Sequence, residues 1–194
     1  MLMEIHPSRD AAELEQLLIE RDEEIRQLRL ALDVLSPIDP TTGMLNRNGV
    51  IDAIQDALNW LIRRNDAFAI MTIEIPGLAG LVTTSPEEHR SMHQHLEAVL
   101  AATLRRVDRV GHLDDATYAS ILREFKTEGS TVLIDRLSTI LGAELTRAGI
   151  GDADPLFTLA VVKPGPFHQA GLLLEQVESM KGRAGVGRPL IVEI

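Results

Sequence analysis

The chain divides at the sequence Ser36-Pro37-Ile38-Asp39-Pro40-Thr41-Thr42-Gly43-Met44-Leu45-Asn46-Arg47. Two prolines three residues apart cannot continue a helix, and each pushes the residue before it into an extended conformation. Any helix that approaches this stretch from the N-terminal side must end there. The sequence therefore predicts two parts, an N-terminal helix within residues 1–36 and a separate domain over residues 37–194.

The segment before this boundary has the pattern of a coiled coil. Residues 8–36 are rich in Glu, Arg and Leu and contain neither glycine nor proline. Apolar residues recur mostly at intervals of four and three, and only Arg21 interrupts them; they are Leu14, Leu18, Ile25, Leu28, Leu32 and Leu35. A line this narrow is typical of a dimer seam, so we expect a parallel homodimer. The alternative, a helix packed on its own domain, normally shows a wider apolar stripe.

The composition excludes several function classes. Asp and Glu number 29 against 19 Lys and Arg, which gives a net charge of -10 and a field that repels nucleic acid and anionic membranes. Aromatic residues are 3% of the chain, too few for a platform on which single-stranded bases stack. The chain has no cysteine, no basic start followed by an apolar stretch and no apolar run of about 18 residues. We therefore expect a cytoplasmic protein with no membrane span and no nucleic-acid partner.

Helical and strand patterns alternate after the boundary. Helices are predicted over residues 46–64, 86–107, 130–147 and 167–180, and strands over residues 67–75, 109–113, 117–122, 156–162 and 189–194. The first strand is almost entirely apolar and is expected to be buried on both faces. The short gap between the second and third strands is the spacing of a hairpin. This order predicts an α/β (α+β) fold with a central mixed sheet of about five strands flanked by helices.

The boundary stretch also resembles a known family. Residues 39–47 are similar to the DPLTGLxNR motif of the GGDEF, or diguanylate cyclase, family, and the elements that follow come in the order that this family has. Lys181 and Arg183, at the end of the last predicted helix, stand where the family carries its AKxxGR motif. The resemblance covers residues 36–194 and implies a GGDEF, nucleotidyl-cyclase-like fold. A dimerising coiled coil commonly precedes such domains.

The signature hairpin of the family is degenerate in this chain. Where the family reads LGGDEFA, the sequence is Leu113-Asp114-Asp115-Ala116-Thr117-Tyr118-Ala119. Glycines let the backbone approach nucleotide phosphates, and Asp114 and Asp115 put negative charge there instead. Ala116 replaces the metal-ligating carboxylate of the family, and Thr117 replaces the acidic residue after it. The resemblance therefore implies neither a metal site nor catalysis.

The other half of the family's metal site is altered as well. Its DIDxFK motif corresponds to Glu74-Ile75-Pro76-Gly77-Leu78-Ala79, in which Ala79 replaces the lysine that steadies the phosphates. Counting onward without gaps places Val82 and Ser91 at the positions that read guanine in the family. Glu74 is a weak candidate for holding a cation, and the alternative is a strand-end carboxylate that faces solvent or a nearby arginine.

One functional motif of the family persists. Arg105-Arg106-Val107-Asp108 matches the RxxD element that precedes the signature, and Arg109 adds a third cation. In the family this element binds the product, cyclic di-GMP. Guanidinium groups fork onto phosphate or the guanine edge, and a carboxylate accepts from guanine N–H groups. The alternative is an ordinary helix end with an i,i+3 Arg/Asp pair.

Two further patterns favour structural interpretations. His89 and His93 share a helix face at the spacing of zinc pairs, but no third ligand can be assigned, so they and His95 are expected to be solvated surface histidines. The glycines and arginines of residues 182–188 resemble a phosphate loop, but they follow a helix rather than a strand. We expect a mobile connection to the last strand there.

The sequence predicts a catalytically inactive bacterial signalling module without a cofactor. Such a module binds cyclic di-GMP through Arg105, Asp108 and either Arg106 or Arg109, with a neighbouring subunit supplying the second half of the site, and scaffolds a protein partner. One alternative is a nucleotide-free dimerisation and protein-interaction domain. Another is an active diguanylate cyclase whose metal site has shifted onto Glu74, Asp114 and Asp115.

Overall fold

The computed structural model describes residues 7–40, 42–150, 154–163 and 169–194, and in the first helix it describes the side chains of residues 14–28. Contacts divide the chain into two compact units, Met1–Ser36 and Pro37–Ile194. Among the helices in the described ranges, none combines the length and apolar character that crossing a membrane requires.

The described part of the first unit contains one helix, α1 (Pro7–Leu35), where the sequence predicts a helix. Four residues of the predicted seam are between 46% and 63% exposed: Leu14, Leu18, Ile25 and Leu28. Arg21, which interrupts the seam, pairs with Glu24 on the same helix. Leu32 and Leu35 lie in α1, but their side chains are outside the described residues. The coiled-coil dimer therefore stays a prediction.

The second unit is built around a mixed sheet. In the described ranges its strands are β1 (Phe68–Glu74), β2 (Arg109–Asp114), β3 (Thr117–Leu122), β4 (Leu156–Val162) and β5 (Leu190–Glu193). Their order across the sheet is β2-β3-β1-β4-β5. β1 runs antiparallel to both of its neighbours, β2 and β3 form the predicted hairpin, and β5 is parallel to β4. The predicted mixed sheet of about five strands is confirmed.

Helices cover both faces of this sheet. They are α2 (Arg47–Arg64), α3 (Pro76–Thr84), α4 (Pro86–Thr103), α5 (Ser130–Arg147) and α6 (Ala170–Glu178). One hydrophobic core lies between the sheet and α3, α4 and α5, and a second lies between the sheet and α2 and α6. Alternate residues of β1 pack into the two cores. Met71 and Ile73 face the first core, and Phe68 and Ile70 face the second. β1 is therefore buried on both faces, as predicted.

Three helices differ from their predicted extents. α3 has no counterpart among the predicted elements, because its nine apolar and glycine-containing residues show no polar face. The helix predicted over residues 86–107 ends at Thr103, where Leu104 becomes extended and Arg136 Nη2 donates to the Thr103 carbonyl (3.0 Å). The helix predicted over residues 167–180 is observed as α6, and its predicted start at residue 167 lies outside the described residues.

The boundary stretch, residues 36–47, contributes two residues of the second unit, Ile38 and Leu45, to backbone bridges beside the sheet. Ile38 forms a bridge with Leu45, and Leu45 forms a second bridge with Gly111 of β2. Asn46 then caps α2, because its side-chain oxygen accepts a hydrogen bond from the N–H of Gly49 (3.0 Å). The helix predicted to start at residue 46 therefore has that residue as its N-cap.

Replacing Gly49 with alanine is expected to lower the free energy of unfolding by about 2 to 3 kcal/mol, the size of an overpacking defect. A Cβ at this position would lie 2.1 Å from the backbone oxygen of Pro37. Gly142 in α5 is the matched control, since no atom lies within 4 Å of its added Cβ. Gly142→Ala should raise stability by about 0.5 to 1 kcal/mol, because alanine favours a helix interior. Urea unfolding measures both, and equal effects would contradict the packing described for the boundary.

Candidate functional site

The signature hairpin is held by a lysine of the same chain. Lys181 follows α6, and its Nζ lies 2.6 Å from Asp114 Oδ2 and 2.8 Å from Thr117 Oγ1. Partial burial works against the charge of Asp114, but hydrogen bonds from Lys181, the Ala116 N–H and Thr117 outweigh it and lower the pKa of this carboxyl. Lys181 and Arg183 therefore lie beyond the last helix rather than at its end, and Lys181 is paired within the chain.

The residues around the hairpin do not fit a divalent cation. Ala116 offers no ligand, and the Lys181 ammonium lies against the nearest carboxylate, that of Asp114. Glu74 Oε1 accepts a long contact from the backbone N–H of Gly182 (3.4 Å), rather than facing the arginine that one interpretation invoked. Across the described ranges, no three His, Asp or Glu side chains converge as the ligands of a metal ion do.

Two histidines of α4 form hydrogen bonds to the turn of the hairpin. Nε2 of His89 and Nε2 of His93 each lie 2.9 Å from the carbonyl oxygen of Asp115 and donate to it, because a carbonyl can only accept. Nδ1 of His93 lies 2.9 Å from Tyr118 Oη. Burial lowers the pKa of His93, so this ring is neutral and accepts from the Tyr118 hydroxyl. The prediction of solvated surface histidines is therefore wrong for His93, whereas His95 is exposed.

The other positions aligned with nucleotide-binding residues carry no compensating groups. Ala79 and Ser91 are exposed, and Val82 is half-buried. Residues 182–188 connect α6 to β5 in a turn closed by backbone hydrogen bonds between Gly185 and Arg188 (2.8 and 3.1 Å), and the mobility expected of this connection stays a prediction. The hairpin is thus bonded to α4 and to the segment after α6.

The RxxD element forms the turn between α4 and β2. The carboxylate of Asp108 accepts hydrogen bonds from the backbone N–H groups of Arg105 (3.0 Å) and Arg123 (3.2 Å). Arg105 and Asp108 therefore form the predicted i,i+3 contact through the backbone N–H of Arg105. The Arg105 guanidinium does not bond Asp108. Arg105, Arg106 and Arg109 are exposed, and no ion pair involves them in the described part of the chain.

The turn lies between two clefts. The larger, about 810 Å³, includes Arg105 and Asp108 together with three basic residues that the sequence did not single out: Arg123 after β3, Lys126, and Arg136 on α5. The smaller, about 320 Å³, lies beside the boundary stretch and is lined by Arg105, Arg106, Asp108, Arg109 and Glu97. All four predicted residues therefore line the smaller cleft, and two of them, Arg105 and Asp108, also line the larger. In the sequence, Arg123, Lys126 and Arg136 are distinguished only by being basic residues that follow the hairpin.

Glu97→Gln is expected to raise the free energy of unfolding by about 1 kcal/mol at pH 8 and to change it little at pH 5. Burial, and then the nearby Asp39 carboxylate, raise the pKa of Glu97 to about 7. Because this value exceeds that of the unfolded chain, ionising Glu97 opposes folding as the pH rises through 7, and glutamine removes this cost. One pKa unit corresponds to about 1.4 kcal/mol, reduced here by partial exposure. Urea unfolding at both pH values tests this, and an equal effect at both would contradict it.

Solved structures share this arrangement of hairpin, sheet and helices, and they are GGDEF domains. The diguanylate cyclase SiaD in complex with its activator SiaC, from Pseudomonas aeruginosa, matches with a TM-score of 0.63 and 13% identity over 95% of this chain and 72% of that chain. The coiled coil and GGDEF domain of DgcB from Caulobacter crescentus, in complex with c-di-GMP, matches with a TM-score of 0.61 and 14% identity over 92% of this chain and 98% of that chain.

A third structure, a microbial GGDEF domain with a novel mode of interaction with cyclic di-GMP, has a TM-score of 0.62 and 16% identity over 79% of this chain and 95% of that chain. No family model matches the sequence, and no curated protein matches it either. At these identities the likeness shows the fold alone. The chain has the GGDEF fold, which confirms the predicted fold class.

Proposed function

We propose that the chain is a catalytically inactive GGDEF-type signalling module. It binds cyclic di-GMP in the larger cleft beside the RxxD turn and assembles as a homodimer through α1. A protein partner then binds the free and the ligand-bound module differently. Two of the similar structures carry cyclic di-GMP and another carries a protein activator, which supports a ligand-binding or partner-binding role.

The larger cleft is the observation that carries the ligand. Its volume of about 810 Å³ is within the range of small-molecule sites, about 300 to 1,000 Å³. Arg105 presents a planar fork of donors. Four cations line the cleft against three carboxylates, Asp108, Glu124 and Glu128, so the lining is net positive towards the ligand's two phosphates. Asp108 lies beside them and keeps lone pairs that can accept from guanine N–H groups, although two main-chain N–H groups already bond it.

The contacts of the hairpin support the absence of catalysis. The ammonium of Lys181 is bonded to Asp114 and Thr117, so the lysine aligned with the AKxxGR motif is neutralised by its own chain. A triphosphate approaching the turn would also meet the carboxylates of Asp114 and Asp115, and no metal ligand at Ala116 offsets this repulsion.

One observation favours a second candidate, a nucleotide-free interaction domain. The Asp108 carboxylate bonds two backbone N–H groups, which is enough to explain an RxxD sequence as a turn-stabilising element. In that case the module acts only through its surfaces, including the exposed apolar residues of α1.

Parallel thermal-shift measurements on the full chain separate the candidates. Cyclic di-GMP should raise the melting temperature, since a ligand that binds only the native state stabilises it, and GTP with magnesium should not. A shift with neither ligand would support the nucleotide-free domain. A shift with GTP and magnesium, followed by product, would support the cyclase.

The homodimer is tested by charge substitutions on α1. Leu18→Lys with Leu28→Lys is expected to convert a dimer of the full chain into a monomer, because the ammonium groups would face each other across an apolar seam. The matched control is Gln16→Lys with Glu20→Lys, at polar exposed positions of the same helix. Light scattering gives the mass. A wild-type monomer at tens of micromolar would contradict the assembly.

A further inference from the structure

The chain's only tryptophan, Trp60 on α2, is stacked against two arginines. The guanidinium carbon of Arg64 lies 4.2 Å from the centroid of the Trp60 ring, and that of Arg123 lies 4.4 Å from it. These distances are within the range of cation–π contacts, and tryptophan is the strongest partner for them. Arg64 comes from the next turn of the same helix, whereas Arg123 comes from the segment after β3.

Arg123 connects this stack with the RxxD turn. Its backbone N–H donates to Asp108 Oδ1 (3.2 Å), and the residue lines the larger cleft with Arg105. Glu124 follows with a φ of 49°, in the left-handed region, and this turns the chain directly after Arg123. Among the described residues, no carboxylate forms an ion pair with the Arg123 guanidinium. Its charge is therefore not offset by an ion pair within the described part of the chain.

We propose that Trp60 is a positioning residue of the cyclic di-GMP site. It holds the guanidinium of Arg123 at the wall of the larger cleft, where this arginine receives a phosphate of the ligand. The inference rests on the proposed function, because it concerns the same cleft, and it adds two residues, Trp60 and Arg123, to that site.

The geometry of a guanidinium group allows Arg123 to stack on Trp60 and to bind a phosphate at the same time. A cation–π contact uses the flat face of the group, and hydrogen bonds to phosphate use the N–H groups at its edge. Stacking on Trp60 therefore leaves the donors of Arg123 free. It also restricts the long side chain before the ligand arrives, so that less conformational entropy is lost on binding.

Arg64 provides an internal control for this idea. It stacks on the same ring, but it does not line the larger cleft. If Trp60 acts on the ligand through Arg123, removing the Arg64 side chain should leave binding nearly unchanged. If Trp60 only supports α2, the two arginines should be equivalent.

A double-mutant cycle with cyclic di-GMP tests the proposal on the full chain, with calorimetry as the readout. Trp60→Leu is expected to weaken binding about fivefold in the wild-type background and less than twofold in the Arg123→Ala background. Arg123→Ala alone should weaken it tenfold or more. Arg64→Ala should change it less than twofold. Trp60→Phe keeps an aromatic face with little change of packing, and it should restore most of the lost affinity.

Each outcome decides the matter. An equal loss from Trp60→Leu in both backgrounds shows that Trp60 acts without Arg123 and overturns the proposal. Unchanged affinity in Trp60→Leu overturns it too, while wild-type binding would leave the proposed function standing. Absence of wild-type binding removes the proposed function and this inference together. If Trp60→Leu is poorly folded, Trp60→Phe still decides, because a loss as large as that of Arg123→Ala would exclude a stacking role.

Discussion

Incubated with GTP and magnesium or manganese, the full chain is expected to produce no cyclic di-GMP. Phosphoryl transfer needs a metal ion held by oxygen ligands at the reacting phosphate. Ala116 supplies no oxygen ligand from its side chain. The ammonium of Lys181 lies 2.6 Å from the Asp114 carboxylate, which would otherwise be free to bind a metal ion. The two imidazoles that bond the Asp115 carbonyl also hold the turn against α4. The effect is a complete loss relative to the roughly 1 to 1,000 turnovers per second of typical enzymes.

Chromatography of the reaction mixture over many hours measures the product. Glu74→Ala is the control, because the shifted metal site would use Glu74 together with Asp114 and Asp115. Product formed by the wild type and abolished by Glu74→Ala would show that the chain is a working cyclase.

Arg105→Ala is expected to weaken cyclic di-GMP binding by about 1.5 to 3 kcal/mol, the contribution of a hydrogen bond to a charged group. Arg105 lines the larger cleft, and its guanidinium forms no ion pair among the described residues. Arg105→Lys keeps the charge but loses the planar fork, so it should bind nearly as poorly as alanine. Stability should change by less than about 0.5 kcal/mol, because the side chain is exposed.

Arg106→Ala is the matched control for this variant. Arg106 is the next residue and is equally exposed, but it lines only the smaller cleft. It should therefore bind cyclic di-GMP within about threefold of wild type, less than the roughly 1 kcal/mol of one net hydrogen bond. Equal losses from both arginines would mean that general positive charge, and not the larger cleft, accounts for binding.

The strands could be predicted from the sequence because their signals are local. β1 is an apolar run, and β2 and β3 are separated by a short polar turn, so each boundary lies within a residue or two of its prediction. α3 could not be predicted, since its nine residues include no charged side chain that would mark a polar face, and only Leu78 is fully buried in the first core. The end of α4 depends on Arg136, which bonds the Thr103 carbonyl from another helix.

The site was harder to predict because its contacts join distant parts of the chain. Lys181 and Asp114 are 67 residues apart in sequence, so no spacing rule suggests their pairing. The i,i+4 spacing of His89 and His93 correctly placed them on one face, but only the fold shows that this face meets the hairpin. The same holds for Arg123, which reaches the cleft because β3 ends beside the RxxD turn.

A calorimetric titration of cyclic di-GMP into the wild-type full chain measures the proposed ligand binding itself. We expect saturable heat of binding that Arg105→Ala abolishes or strongly reduces and Arg106→Ala leaves nearly intact. If the wild-type chain gives no heat at hundreds of micromolar ligand, cyclic di-GMP binding is contradicted. Arg105 and Asp108 are then a structural turn, and the nucleotide-free interaction domain is the correct description.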